Sequence, residues 1–359
     1  MLFFRLSAFY FFYFAAVGIY VIFLPKVLND LGYTELQIGV IFALAPLMKF
    51  VTPFLFLKHI TLNQNVFKTA LFGSVVCSFL LYLTINNFYL LMLNNAILGA
   101  CLSMILPYLE VISVKDLGKD KYGKSRLFGS IGFMLVTLIL ARVLHEPIIA
   151  IHFYVVVNIL TVSFALSLLR YDTAHEKNQS NDKNSFSFMK HWTFWLSLFF
   201  MQISFGGFYN FFTIYETSHG IDLKTVSYLW TFGVLCEIAM LYYQAPFLKR
   251  NLVGIIKFCL LITSFRWLLL YLFPDSLFMT YISQGIHAFS FALFHSSVLM
   301  YLYSLYDNKK LAQQFMFGVA YGLGGFLGSL IAGYLYGENL FLYCSIFAFF
   351  AFLSIAKRK

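Results

Sequence analysis

Charge is scarce in this chain. Asp, Glu, Lys and Arg make up 11% of its 359 residues, less than half the share of a soluble domain. With 61% hydrophobic and 20% aromatic residues and a mean hydropathy of +0.80, that shortage excludes a water-soluble globular protein and makes lipid the solvent. Cysteine is sparse too. Cys77, Cys101, Cys236, Cys259 and Cys344 sit singly in apolar runs, with no metal or redox spacing, and read as small packing residues. No phosphate loop, zinc-type HExxH or nucleophile elbow is present, so no catalytic residue is expected. Long polar runs are absent except for one, RYDTAHEKNQSNDKNSFSFMKH at 170–191, which has too little apolar surface to form a core.

What is there is apolar sequence in span-sized pieces. A transmembrane helix needs about 20 such residues, and the expected spans are 3–24, 36–57, 67–85, 88–110, 127–144 and 148–169. After the polar stretch come 194–215, 226–248, 252–273, 276–302, 313–335 and 339–356. The first run carries no small-residue cleavage site and reads as a retained helix, not a signal peptide. Most of the 25 basic residues fall in alternate connections, including Lys115, Lys121, Lys124, Arg170, Lys249, Arg250 and Arg358. The positive-inside rule then puts both termini and the polar stretch in the cytoplasm. The net charge of +10 thus orients the protein, and no nucleic-acid partner is expected. The expected fold is all-α and polytopic: an N-terminal six-helix bundle at 1–169, a cytoplasmic linker at 170–191 and a C-terminal six-helix bundle at 192–359.

The halves echo one another. GYTELQIG before the second span and GIDLKTVS before the eighth both offer an N-cap, Thr34 and Asp222, with Gln37 completing a capping box. The separation between Gly32 and Gly220 is also that between Lys49 and Glu237, so equivalent places in two parallel repeats carry opposite charges. Two such repeats are the architecture of major facilitator transporters. Charges inside lipid are costly and mark function or ion pairing. Glu237 lies mid-span and Arg266 one span later, each the other's nearest obvious partner. His287 and His295 share the tenth span, about 80° apart around an α-helix, and suit a proton relay or a hydrogen bond to substrate; with no carboxylate or cysteine beside them, no metal is expected. Glu110 closes the fourth span and Arg126 opens the fifth. Asn210 and Gln202 add uncharged polar groups. The glycines of the eleventh span, Gly318 to Gly333, read as close helix contacts.

YGKSRLFGS at 122–130, YLWTFG at 228–233 with Glu237, Arg266-Trp267, His287, His295 and the basic Lys49 resemble the major facilitator superfamily, in the branch that holds 3-phenylpropionate permeases and lactose permease. The resemblance to the first group spans nearly the whole chain. Against lactose permease, Glu110, Arg126, Arg266, His287 and Asn210 match residues of the sugar-binding and proton-coupling network. Ser290, Val234, Gln202 and Tyr321 depart from it, which counts against galactoside transport by the same scheme. The resemblance implies a secondary transporter of a bacterial-type inner membrane, working by alternating access as a proton symporter of a small organic acid such as an aromatic carboxylate. It needs no cofactor beyond the proton gradient and is expected to act as a monomer. Arg266, Arg126 and Lys49 are assigned to anion attraction, Glu237 with His287 and Arg266 to proton exchange, and Glu110, Asn210 and His295 to substrate contacts. A sugar or nucleoside cargo, and a non-transporting membrane sensor or assembly factor, are the alternatives.

Overall fold

The computed structural model describes residues 1–58, 63–172, 188–307 and 309–358. The centre of the expected linker, 173–187, lies outside them. The chain divides into two compact units, Met1–Asn181 and Asp182–Lys359. The described residues are helical nearly throughout, as lipid requires of a spanning backbone that must satisfy its own hydrogen bonds. Among them, ten helical runs are long and apolar enough to cross a membrane, and Leu340–Ile355 is a shorter apolar one.

The first unit contains α1 (Leu2–Gly18), α2 (Leu24–Asp30), α3 (Glu35–Lys58), α4 (Gln64–Thr84), α5 (Phe88–Val143) and α6 (Pro147–Leu168). A π-helical segment, Ile19–Phe23, joins α1 to α2. The second contains α7 (Trp192–Ser204), α8 (Gly206–Ser218), α9 (Leu223–Tyr243), α10 (Ala245–Leu248), α11 (Leu252–Leu272) and α12 (Leu277–His287). It continues with α13 (Phe294–Leu305), α14 (Lys309–Phe315), α15 (Gly325–Tyr334) and α16 (Leu340–Ile355). Two further π-helical segments, Ala288–Leu293 and Met316–Gly324, lie within the tenth and eleventh spans.

Local chemistry fixes the starts of these helices. Asn63, Asn87, Asp222, Asn251 and Ser276 each accept the backbone N–H three residues on, satisfying a donor that the first turn leaves orphaned. Thr34 and Gln37 form the expected reciprocal capping box. The two units repeat even at the turns. Tyr33 N–H reaches Leu28 O across Gly32 (φ 87°), and Ile221 N–H reaches Glu216 O across Gly220 (φ 84°). Each closes a helix with a left-handed glycine.

Two expectations change. The interval between the fourth and fifth spans, expected as a loop, is helical: hydrogen bonding continues from Phe88 to Val143. Yet Glu110 and Arg126 form an ion pair, and a straight helix would hold them about 24 Å apart. The run must double back between them; Phe88–Leu117 and Lys121–Val143 are each long and apolar enough to span. The seventh span is not one helix but two of 13 residues each, interrupted at Phe205.

Glycine decides the closest helix contacts. A Cβ on Gly132 would stand 2.0 Å from Phe11 O, and one on Gly206 would stand 2.2 Å from Gly328 O. Gly324 and Gly328 lie against the backbone of Phe199 and Ile203. Thus the first span of each unit packs directly on its fifth, the small-residue packing that membrane helices use in place of hydrophobic association. The outward surface is apolar, with Leu83, Tyr89, Phe278 and Tyr334 largely exposed, while polar groups such as Asn94, Asn158, Glu216 and Arg266 are inside.

Candidate functional site: a buried arginine in the second unit

Arg266 lies two-thirds of the way along α11 and is fully buried. Its guanidinium carbon sits 4.4 Å from the Phe208 ring centre and 4.3 Å from that of Trp267, with Phe205 at 5.9 Å. Nη1 donates to His287 Nδ1 at 2.9 Å and to Ser290 Oγ at 3.0 Å, and Nη2 donates to Gln284 Oε1 at 3.3 Å. Among the described residues no carboxylate stands within ion-pair distance of it. A buried cation costs several kcal/mol unless compensated. Here aromatic faces, worth about 2 kcal/mol each when desolvated, and neutral acceptors compensate it. Its Nε–H and the Nε2 of Gln284 are both buried without an acceptor among the described residues.

The bond to Arg266 sets the state of His287. A guanidinium only donates, so Nδ1 must accept and carry no proton. The imidazole is therefore neutral in this arrangement, with its N–H on Nε2. That nitrogen faces Glu237 Oε2 at 3.8 Å. Arg266, His287 and Glu237 thus form a row with the histidine in the middle, where the sequence suggested that the two charges would meet directly. Tyr209 and Tyr321 are close enough to feel the charge of Glu237.

The π-helical segment after His287 has a structural consequence. Its wider turn brings positions four apart nearly into line, so the rings of His287, Phe291 and His295 form a column. The first two stack at 5.2 Å and 9°, and the last two at 6.4 Å and 18°. His295 Nδ1 bonds Tyr321 Oη at 2.7 Å. Such insertions in α-helices often accompany functional sites.

In the first unit Glu110 and Arg126 pair, and Tyr122 Oη donates to Glu110 at 3.3 Å. The Arg126 guanidinium lies 5.7 Å from the Tyr10 ring and 5.2 Å from that of Phe14. Lys49 is exposed on α3 and has no hydrogen-bond or ion-pair partner among the described residues. Asn210 links two helices of the second unit. Its Nδ2 donates to Gly206 O at 3.0 Å and Ser329 Oγ at 2.8 Å, so it joins α8 to α15. Gln284 and Ser290 also contact Arg266; in the sequence Ser290 stood out only as a departure from the lactose permease pattern, and Gln284 carried no assignment. The aromatic partner Phe208 carried no signal in a chain with 45 phenylalanines.

The MFS_1 like family matches residues 3–349. An uncharacterized transporter of Bacillus subtilis (strain 168), YwbF, is 26% identical over 98% of this chain and 90% of its own. An Escherichia coli (strain K12) protein described as a probable 3-phenylpropionic acid transporter is 21% identical over 91% and 89%. Among solved structures, the nucleoside transporter NupG superposes with a TM-score of 0.78 at 17% identity, covering all of both chains; a mutant of it reaches 0.84 at 16%. A bacterial homologue of the lysosomal transporter Spinster gives 0.68 at 13% identity over 99% and 96%. These structures share the fold. Helices, family and relatives agree: the chain belongs to the MFS_1 like family of major facilitator transporters and is a multi-pass membrane transporter for a small molecule, not an enzyme.

Proposed function

We propose that the protein is a proton symporter of a small organic acid of the phenylpropionate type, acting by alternating access in a bacterial-type cytoplasmic membrane with both termini inside. The observation that carries this reading is Arg266: a buried cation with no counter-carboxylate in ion-pair distance among the described residues, next to two unused donors, between aromatic faces. A carboxylate matches that donor set, and charge-assisted hydrogen bonds of this kind are the strong ones. Phe208 and Trp267 hold the guanidinium between aromatic faces. The relative named for 3-phenylpropionic acid supports this cargo class.

Coupling follows from the charge count. With Glu237 ionised, Arg266 and Glu237 cancel through neutral His287, and an incoming anion meets no net attraction. Protonating Glu237 leaves the row positive, so anion and proton bind best together. Neutral His287 positions Arg266 and offers Nε2–H toward Glu237. His295 adds a hydrogen-bonding group within the same unit.

A second reading rests on the Glu110–Arg126 pair. It is self-neutralised and lies against Tyr10, Phe14 and Tyr122, an arrangement suited to hydroxyl groups of a sugar or nucleoside. Uptake into proteoliposomes of 3-phenylpropionate, uridine and lactose, with wild type and Arg266→Gln, separates the two. The organic-acid reading expects uptake of the acid only, lost in the variant. Uridine or lactose uptake that survives Arg266→Gln would replace it with the second reading.

A further inference from the structure

Of the eleven residues of α12, those buried are Thr280, Ser283, Gln284 and His287. No apolar side chain of this helix is buried. Spacings of three and four residues place them on one face, along about 10 Å of rise. One end of this strip is the site above, since Gln284 and His287 both accept from Arg266 and His287 faces Glu237. At the other end Thr280 Oγ1 donates to Glu216 Oε2 at 3.4 Å.

Glu216, on α8, is fully buried, and its Oε1 has no hydrogen-bond partner among the described residues. No cation lies within ion-pair distance of it among the described residues. Its titratable neighbours in sequence are Tyr215 on α8 and His219 just after it, and His219 is turned to Tyr215 O. Tyr336, Asp275 and Glu338 lie near Tyr215, Thr280 is the group facing it from α12, and Arg266 on α11 is met farther along that face by Ser283, Gln284 and His287. A carboxylate in such a place is strongly disfavoured, whereas the acid form loses little.

The fold does not require an acid here. In the first unit the same helix-ending turn is built around Leu28, whose carbonyl accepts Tyr33 N–H as that of Glu216 accepts Ile221 N–H. Leu28 is equally buried. A leucine therefore meets the packing demand in one repeat, and a carboxyl occupies the equivalent position in the other.

We propose that Glu216 is a second proton-binding carboxyl of this transporter, linked to the Arg266–His287–Glu237 site through the polar face of α12. Ionisation of Glu216 favours a turn of Thr280 and its helix toward the new charge, and that movement shifts Gln284 and His287 on the same face. Binding and release of this proton thereby bias the substrate site. This role rests on the proton-symport reading, so its test reports on the two separately.

The variants are Glu216→Leu, which copies the other repeat, Glu216→Gln, and Thr280→Val, which keeps the carboxyl and removes its hydrogen bond. Each is reconstituted and assayed for substrate counterflow without a gradient, for accumulation under an inward proton gradient, and for the pH profile of uptake. Counterflow is expected to persist, while gradient-driven accumulation falls on the order of five- to tenfold, the lower range of site-to-site coupling, and the pH profile flattens. Wild-type accumulation and pH profile in Glu216→Leu would overturn the proposal while leaving symport intact. A wild type that never accumulates substrate on a proton gradient would overturn symport, and the linkage with it. A second readout needs no transport: the infrared carboxylic C=O absorption at neutral pH should lose one band in Glu216→Leu. An unchanged band would show Glu216 ionised and end the proposal. If both Glu216 variants misfold, Thr280→Val decides, because full accumulation in it contradicts the linkage.

Discussion

Arg266 acts through a planar group that serves three acceptors and two aromatic faces at once. A lysine carries the same charge but cannot reproduce that geometry. Arg266→Lys should therefore weaken substrate binding by about 1.5–3 kcal/mol, the worth of a hydrogen bond to a charged group, as read by calorimetry; unchanged affinity would remove Arg266 from the site. Glu237→Gln fixes the row in its positive state, so substrate exchange should continue while accumulation driven by a proton gradient falls about tenfold or more. Retained accumulation would locate the coupling proton elsewhere. The sequence displays these residues because a charge in an apolar run is conspicuous. It does not display their pairing. Whether Arg266 meets Glu237 or His287 depends on the rotation of the tenth span, which the π-helical segment Ala288–Leu293 alters. Glu216 stays hidden for another reason: it adjoins the polar turn His219-Gly220-Ile221-Asp222 and looks like part of it.

At the scale of the helix, glycine contacts set the geometry on which each site depends. Gly132→Ala and Gly206→Ala would each drive a Cβ into backbone, whereas Gly123 has nothing within 4 Å of its Cβ position. The first two should cost about 1–3 kcal/mol each, seen as lower thermal stability in detergent, and Gly123→Ala should be near neutral. Equal effects at all three would mean that these close approaches do not limit packing. Spans and caps were readable from periodicity and from residues such as Thr34, Gln37 and Asp222, because those signals are local. The doubling-back of α5 and the interruption at Phe205 are tertiary. They accompany the Glu110–Arg126 pair in one case and Gly206 meeting Gly328 in the other, contacts that helical periodicity does not display.

At the scale of the molecule, the second unit closes on itself through its last residues. Lys257 Nζ donates to the carbonyls of Ala356 and Arg358, both at 2.7 Å. Arg358 Nη2 donates to His191 Nδ1 at 2.7 Å, and Arg358 Nε donates to Tyr301 Oη. Burial first, then Arg358 and Lys190, hold the titration of His191 below the ordinary histidine value. Its neutral form therefore belongs to the folded state. The stabilisation is complete above about pH 6.5 and declines as pH falls below it, because protonation closes Nδ1 to Arg358. Amide exchange over α16, corrected for intrinsic rate, should accelerate below that pH in wild type and lose this pH dependence in His191→Ala. A wild type with pH-independent protection would contradict the assignment.

All of these scales meet in the claim that an organic anion and a proton cross together through the Arg266–Glu237 row. The direct measurement is external pH in a lightly buffered suspension of proteoliposomes when 3-phenylpropionate is added, against protein-free liposomes. The account predicts alkalinisation beyond that control, abolished by Arg266→Gln and by Glu237→Gln. Substrate uptake with no proton movement above the control, or proton movement that survives both substitutions, would contradict it.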